Sequence, residues 1–96
     1  MSYGPLVIRR DEQSKQYELV VDGLVVSVVG YDEHDGRTTL LHTATQPEWR
    51  GRGHATSLVG QVLEDLRSRR SPYVASCPFV RAYIAGHPPA TSPVAR

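Results

Sequence analysis

"PEWRGRGHATSLVGQVLEDLRSRR", residues 47–70, is where the chain changes its period. Before it, apolar residues alternate as they do in strands. Within it, Ala55, Leu58, Val59, Val62, Leu63 and Leu66 recur at helical spacing and define one apolar face. Arg67, Arg69 and Arg70 gather at the end of that helix, where cations favour the backbone dipole. Gly60 interrupts it, at about 1 kcal/mol relative to Ala, and is expected to permit close packing on a sheet. Ser71-Pro72 ends the helix. A proline followed by a Gly- and Arg-rich turn therefore stands between a strand and a helix.

Working outward, the first 46 residues read as an antiparallel meander of three or four strands. "LVIRR" (6–10) opens it and "QYELVV" (16–21) follows after the short connection "DEQSK". Asp22-Gly23 is a strong two-residue hairpin signal, because a type I′ turn needs positive φ at both central positions. "LVVSVVGY" (24–31) is β-branched on both faces, as a central or doubly covered strand would be. Asp35-Gly36 marks another turn, and a fourth strand runs from Thr38 to Gln46 until Pro47 stops it. Beyond the helix, Tyr73 to Cys77 reads as a fifth strand. It is parallel to the fourth because a helix joins them. Phe79, Val80, Tyr83 and Ile84 indicate a short second helix, and "HPPATSPVAR" a loose tail. The expected class is α+β: a strand meander, then a strand–loop–helix–strand–helix unit, forming one domain over residues 1–88 with a tail at 89–96.

Composition fits one globular domain. The chain has 96 residues, 40% of them hydrophobic and 22% charged, with net charge +1. That balance argues against a basic nucleic-acid fold, although Arg50, Arg52, Arg67, Arg69 and Arg70 would form such a surface if one existed; salt-sensitive binding would reveal it. One cysteine, Cys77, forms no intrachain disulfide, and four scattered histidines give no metal-ligand spacing. There is no signal-peptide pattern and no apolar run of the roughly 18–20 residues that a membrane span needs, so the expectation is a cytoplasmic protein with no membrane partner and no metal.

The turn itself suits an anion. Gly51 and Gly53 clear side chains from the backbone, and the first amides of the helix have no internal acceptors. With Arg50, Arg52 and His54 nearby, this is a phosphate-binding arrangement. It is neither a Gly-Lys-Ser/Thr P-loop nor a G-x-G-x-x-G dinucleotide turn. The bland alternative is a glycine turn with solvated arginines.

Arg50-Gly51-Arg52-Gly53-His54-Ala55 resembles the R/Q-x-x-G-x-G/A signature of the GNAT acetyltransferase superfamily, set as that signature is between a strand and an amphipathic helix. "LLHTATQPEWRGRGHATSLV" together with "CPFVRAYIAGHP" is similar to the small GNAT-like proteins of the YjdJ type. The resemblance covers most of the chain and fades in the tail. It implies a minimal GNAT-like fold, acetyl-CoA as co-substrate without a metal, and transfer of acetyl to an amine. The loop's amides from Arg50 through Gly51, Arg52, Gly53, His54 and Ala55 to Thr56 would hold the pyrophosphate. Two departures stand out. Ala44 occupies a position that is often acidic in that family, and His54 one that is usually aliphatic.

Acyl transfer from a thioester needs an acceptor amine that loses its proton, a stabilised oxyanion and a leaving thiolate that gains one. Cys77, at the end of the fifth strand, would protonate that thiolate or accept acetyl itself; the structural alternative is a buried cysteine of no chemical role. His42 is a candidate base and otherwise a half-buried strand residue. Tyr83 matches a helix whose tyrosine is the acid in larger relatives, and otherwise belongs to the core. Trp49 either covers the loop or packs, and His87 reads as a cap or tail residue. Larger superfamily members insert two helices between their first two strands, for which "DEQSK" leaves no room. An open acceptor side is expected. It would suit a protein or peptide amine, or a partner that completes the site. The competing expectation is a non-catalytic module that binds acyl-CoA or another protein.

Overall fold

In the computed structural model, residues 6–87 are described; the tail expected at 89–96 lies outside them. Five strands form one sheet in the order β1-β2-β3-β4-β5: β1 (Leu6–Asp11), β2 (Gln16–Val21), β3 (Leu24–His34), β4 (Arg37–Thr45) and β5 (Tyr73–Ala75). The first four make an antiparallel meander with β3 at its centre, as its β-branched sequence predicts. β5 runs parallel to β4, which the intervening helix α1 (His54–Ser68) requires. A second helix, α2 (Pro78–Gly86), completes the chain.

Local chemistry sets the turns. Asp22 and Gly23 have φ of 51° and 79°, and Asp35 and Gly36 have 52° and 76°, so both hairpins take the conformation that their Asp-Gly pairs favour. Between β1 and β2 only four residues intervene, and the Asp11 carboxylate accepts the amides of Gln13 and Ser14 there. No helix separates these strands.

One stripe of α1 is buried: Leu58, Val59, Val62 and Leu66 meet Leu19, Val21, Val26, Val29, Tyr31 and Leu40 of the sheet, and Val80 brings α2 into the same core. Each fully buried Leu or Val contributes roughly 1.5–3 kcal/mol by leaving water. At the far end of α1, the Tyr17 hydroxyl donates to Asp65 at 2.7 Å, and Arg69 Nε donates to the same oxygen at 2.8 Å. The Arg10 guanidinium lies over the Tyr31 ring, 4.8 Å from its centre, and bonds Glu33. The Tyr17–Asp65 contact ties the end of the helix remote from its glycine turn to β2.

Several boundaries differ from the sequence expectation. β3 continues to His34 and β4 ends at Thr45. Pro47 does more than stop a strand, since it begins a 3-10 turn over Pro47–Trp49, as proline's fixed φ allows. β5 ends at Ala75, so Cys77 has left the strand and stands as the N-cap of α2. Gly60 serves a different neighbour from the one expected: a β-carbon there would lie 2.8 Å from the Tyr83 hydroxyl, so it admits α2 and not the sheet. No helix among the described residues is long and apolar enough to cross a membrane.

Candidate functional site

β4 and β5 part early. Their pairing runs from Thr38–Tyr73 to Leu40–Ala75, and the amides of Ser76 and Cys77 then both turn to the Leu40 carbonyl. On its other side β4 is irregular at the same level. Gly30 pairs with His42 and Tyr31 with Leu40, so Leu41 is an extra residue. Such a bulge bends its strand and increases its twist. The second half of β4 consequently diverges from β5, and a cleft of about 370 Å³ opens between the sheet and the two helix N-termini. Thr43, Thr45, Trp49, Arg50, Ala55 and Phe79 are among its walls.

The glycine turn forms one end of this cleft. Gly51 and Gly53 have φ of 74° and 81°, and a β-carbon on either would face open space. Gly53 is the N-cap of α1, where no side chain caps the helix. Its carbonyl accepts the Ser57 amide, the first bond of α1, so the amides of Ala55 and Thr56 precede any intrahelical acceptor. Gly51, Arg52 and Gly53 are exposed. Trp49 is half-buried; the Arg52 guanidinium lies 5.3 Å from one of its ring centres and the His54 ring 5.4 Å away. His54 is itself buried at the first position of α1. Arg50 Nε donates to the Thr45 carbonyl, which ties the turn back to β4. Backbone amides, Arg50 and a helix dipole meet at one opening, while Arg52 lies over Trp49 and does not line the cleft; the arrangement is able to hold a diphosphate.

Cys77 lies below the other end. Its side chain is buried, and its sulfur is 3.3 Å from Thr43 Oγ1. Burial pushes this thiol upward, but the Thr43 hydroxyl and the amides of Val80 and Phe79 outweigh it and hold the thiol below its ordinary value. The sulfur makes no N-cap hydrogen bond of normal geometry, so those amides act at longer reach. Thr43 itself is half-buried and lines the cleft. Its chemistry escapes a reading by residue type, because a strand threonine is common; only alternation from Leu40 across the bulge places it on the cleft side.

His42 is exposed on the opposite face of β4, its ring lying over Gly30. It is thus near the Thr43–Cys77 pair along the strand and across the sheet from it. Tyr83 is not brought to the cleft. It lines a separate groove of about 110 Å³ between α1 and α2, beside Gly60 and Leu63, and stacks on His87 with ring centres 4.2 Å apart. His87 caps α2 by bonding back to Tyr83 and Ile84. Of the residues expected over 50–56, all but Arg52 line the cleft. Of the three catalytic candidates only Cys77 borders the cleft wall.

The family model for GCN5-related N-acetyl-transferase matches residues 16–92, and the chain belongs to that family. No curated protein matches it significantly. Among solved structures, it is similar to the ribosomal-protein-S18-alanine N-acetyltransferase from Escherichia coli, with a TM-score of 0.63 at 16% identity, over 79% of this chain and 52% of that one. It is also similar to a Staphylococcus aureus protein described as GCN5-like, with a TM-score of 0.58 at 21% identity, over 90% of this chain and 82% of that one. At these identities the likeness is one of fold. The chain spans about half the length of the Escherichia coli enzyme.

Proposed function

We propose that the protein binds acetyl-CoA and transfers its acetyl group to an amine. The observation that carries this reading is the sharing of one cleft: an uncapped helix N-terminus with open glycines and Arg50 at one end, and Thr43, bonded to Cys77, at the other. The diphosphate of the coenzyme would meet the amides from Gly51 to Thr56. Its pantetheine arm would follow the free edge of β4 past Phe79, which presents an exposed ring to the cleft. The thioester would then reach the level of Cys77, which would protonate the leaving sulfur. His42, across the sheet, would take the amine's proton from the outer face. Tyr83 is assigned no chemical role, since it lines the helix–helix groove and not this cleft. A place among the small YjdJ-type proteins accords with this reading.

The acceptor is a primary amine on something larger than a metabolite, such as a protein or peptide. The four-residue β1–β2 turn leaves the outer face without the helices that would wall a small-molecule pocket. That same openness favours the second reading, an acyl-CoA-binding module without turnover. Thermal shift with acetyl-CoA, CoA and pyrophosphate, joined to a thiol-release assay with peptide amines, tests both. Ligands that bind only the native state raise its stability by mass action, so a missing shift at saturating acetyl-CoA overturns both readings. A shift without turnover supports the second.

A further inference from the structure

We infer that Thr43 is the proton relay of this site, passing a proton from the buried Cys77 thiol to the departing sulfur of the coenzyme. This inference rests on the acetyltransferase reading above. Cys77 is only 4% exposed, so a ligand in the cleft has little direct access to its sulfur. The Thr43 hydroxyl stands between the two. It lines the cleft and lies 3.3 Å from Cys77 Sγ. A hydroxyl carries one proton and two lone pairs, so it can accept from a thiol and donate to an anion at the same time.

The neighbouring groups do not offer the same path. Thr45, two residues on, also lines the cleft, but its hydroxyl is 2.9 Å from that of the buried Ser27. His54 belongs to the turn and packs its ring, tilted, against Trp49 at the opposite end of the cleft from Cys77. Arg50 is held to the Thr45 carbonyl, and no carboxylate is among the residues lining the cleft. Tyr83 is in the other groove.

The step balances. The acceptor nitrogen forms its bond to the acetyl carbon and the carbon–sulfur bond breaks, leaving the electron pair on the coenzyme sulfur. That sulfur takes the Thr43 hydroxyl proton as Thr43 takes the Cys77 proton. Cys77 is left as thiolate, a state that the Thr43 hydroxyl and the α2 amides favour. The proton released from the acceptor nitrogen passes to solvent, and the Thr43 hydroxyl returns one from the cleft to the Cys77 thiolate.

Thr43→Val keeps the shape of the side chain and removes the hydroxyl, whereas Thr43→Ser keeps the hydroxyl. Expected for Thr43→Val is an unchanged thermal shift with acetyl-CoA, turnover lower by roughly a hundredfold or more, and a Cys77 ionisation midpoint, read from thiolate absorbance against Cys77→Ala, that moves to higher pH. Thr43→Ser is expected to stay near the parent in all three. Cys77→Ala cuts the same path at its other end and is expected to match Thr43→Val, with the double variant no slower. Full turnover in Thr43→Val, or additive losses in the double variant, overturns the relay while leaving the acetyltransferase reading intact. If Thr43→Val fails to fold, a parent-like rate in Cys77→Ala overturns it equally. No thermal shift with acetyl-CoA in the parent protein removes both.

Discussion

The His42 ring occupies the space that a side chain at residue 30 would need: a β-carbon on Gly30 would lie 2.2 Å from its Cε1. The two residues are cross-strand partners on β3 and β4, one position from the bulge at Leu41. Gly30 thus seats the imidazole flat on the outer face of the sheet. Replacing Gly30 with Ala should displace the exposed ring, visible as a change in its NMR shifts, while acetyl-CoA still binds. Ala normally improves a strand by roughly 0.5–1 kcal/mol over Gly, so Gly30→Ala/His42→Ala should be more stable than His42→Ala alone. If His42 is the base, displacing it by about 1 Å is enough to slow turnover on the order of a hundredfold. Parent-like turnover in Gly30→Ala with a shifted ring would remove His42 from the chemistry.

Gly53→Ala separates backbone strain from ligand binding. At φ of 81° an L-residue costs roughly 1–2 kcal/mol, and the added methyl meets nothing within 4 Å in the protein itself. Gly23→Ala is the matched control, with φ of 79° and equally open space in a hairpin remote from the cleft. Both variants should lose about 4–8 °C of Tm per kcal/mol in a domain of this size. Only Gly53→Ala should also lose the thermal shift produced by acetyl-CoA, because its methyl enters the volume assigned to the diphosphate. Equal coenzyme shifts in the two variants would place the diphosphate elsewhere.

Gly60 and Tyr83 offer a test of the helix–helix contact. Ala in place of Gly gains up to about 1 kcal/mol in a helix interior, but here the new methyl would press on the Tyr83 hydroxyl at 2.8 Å. Gly60→Ala alone should therefore gain little or lose stability. Combined with Tyr83→Phe, which removes that oxygen, it should exceed the parent in urea midpoint. Tyr83→Phe by itself should leave turnover unchanged, since Tyr83 lines the helix–helix groove and not the cleft beside Thr43; a large loss would return Tyr83 to the catalytic set.

Alkaline stability should depend on Tyr17. Burial, then its hydrogen bond to Asp65 and that carboxylate's charge, hold the phenol well above its ordinary value of 10.0. A group raised in the folded state stabilises fully below its unfolded value and progressively less as pH climbs toward the folded one. The urea midpoint should therefore fall as pH passes 10, and Tyr17→Phe should flatten that fall. Burial also raises Tyr31, so a residual slope is expected in the variant. An identical slope in parent and variant would mean that Tyr17 ionises freely.

Neighbours along the chain govern one part of this architecture. The Asp22-Gly23 and Asp35-Gly36 turns, the apolar stripe from Leu58 to Leu66, the parallel return of β5 and the open glycine turn ahead of α1 each follow from residues a few positions apart, through backbone sterics or the helical period. The open glycine turn at one end of the cleft was legible for that reason. Tertiary structure alone decided the rest. The extra residue at Leu41, the early end of β5 and the move of Cys77 to the cap of α2 depend on how separate strands register. So do the meeting of Thr43 with Cys77, the seating of His42 on Gly30 and the diversion of Tyr83 to Gly60. Those partners are 34, 12 and 23 positions apart in sequence (77−43, 42−30, 83−60), and no local pattern encodes contacts that only packing creates.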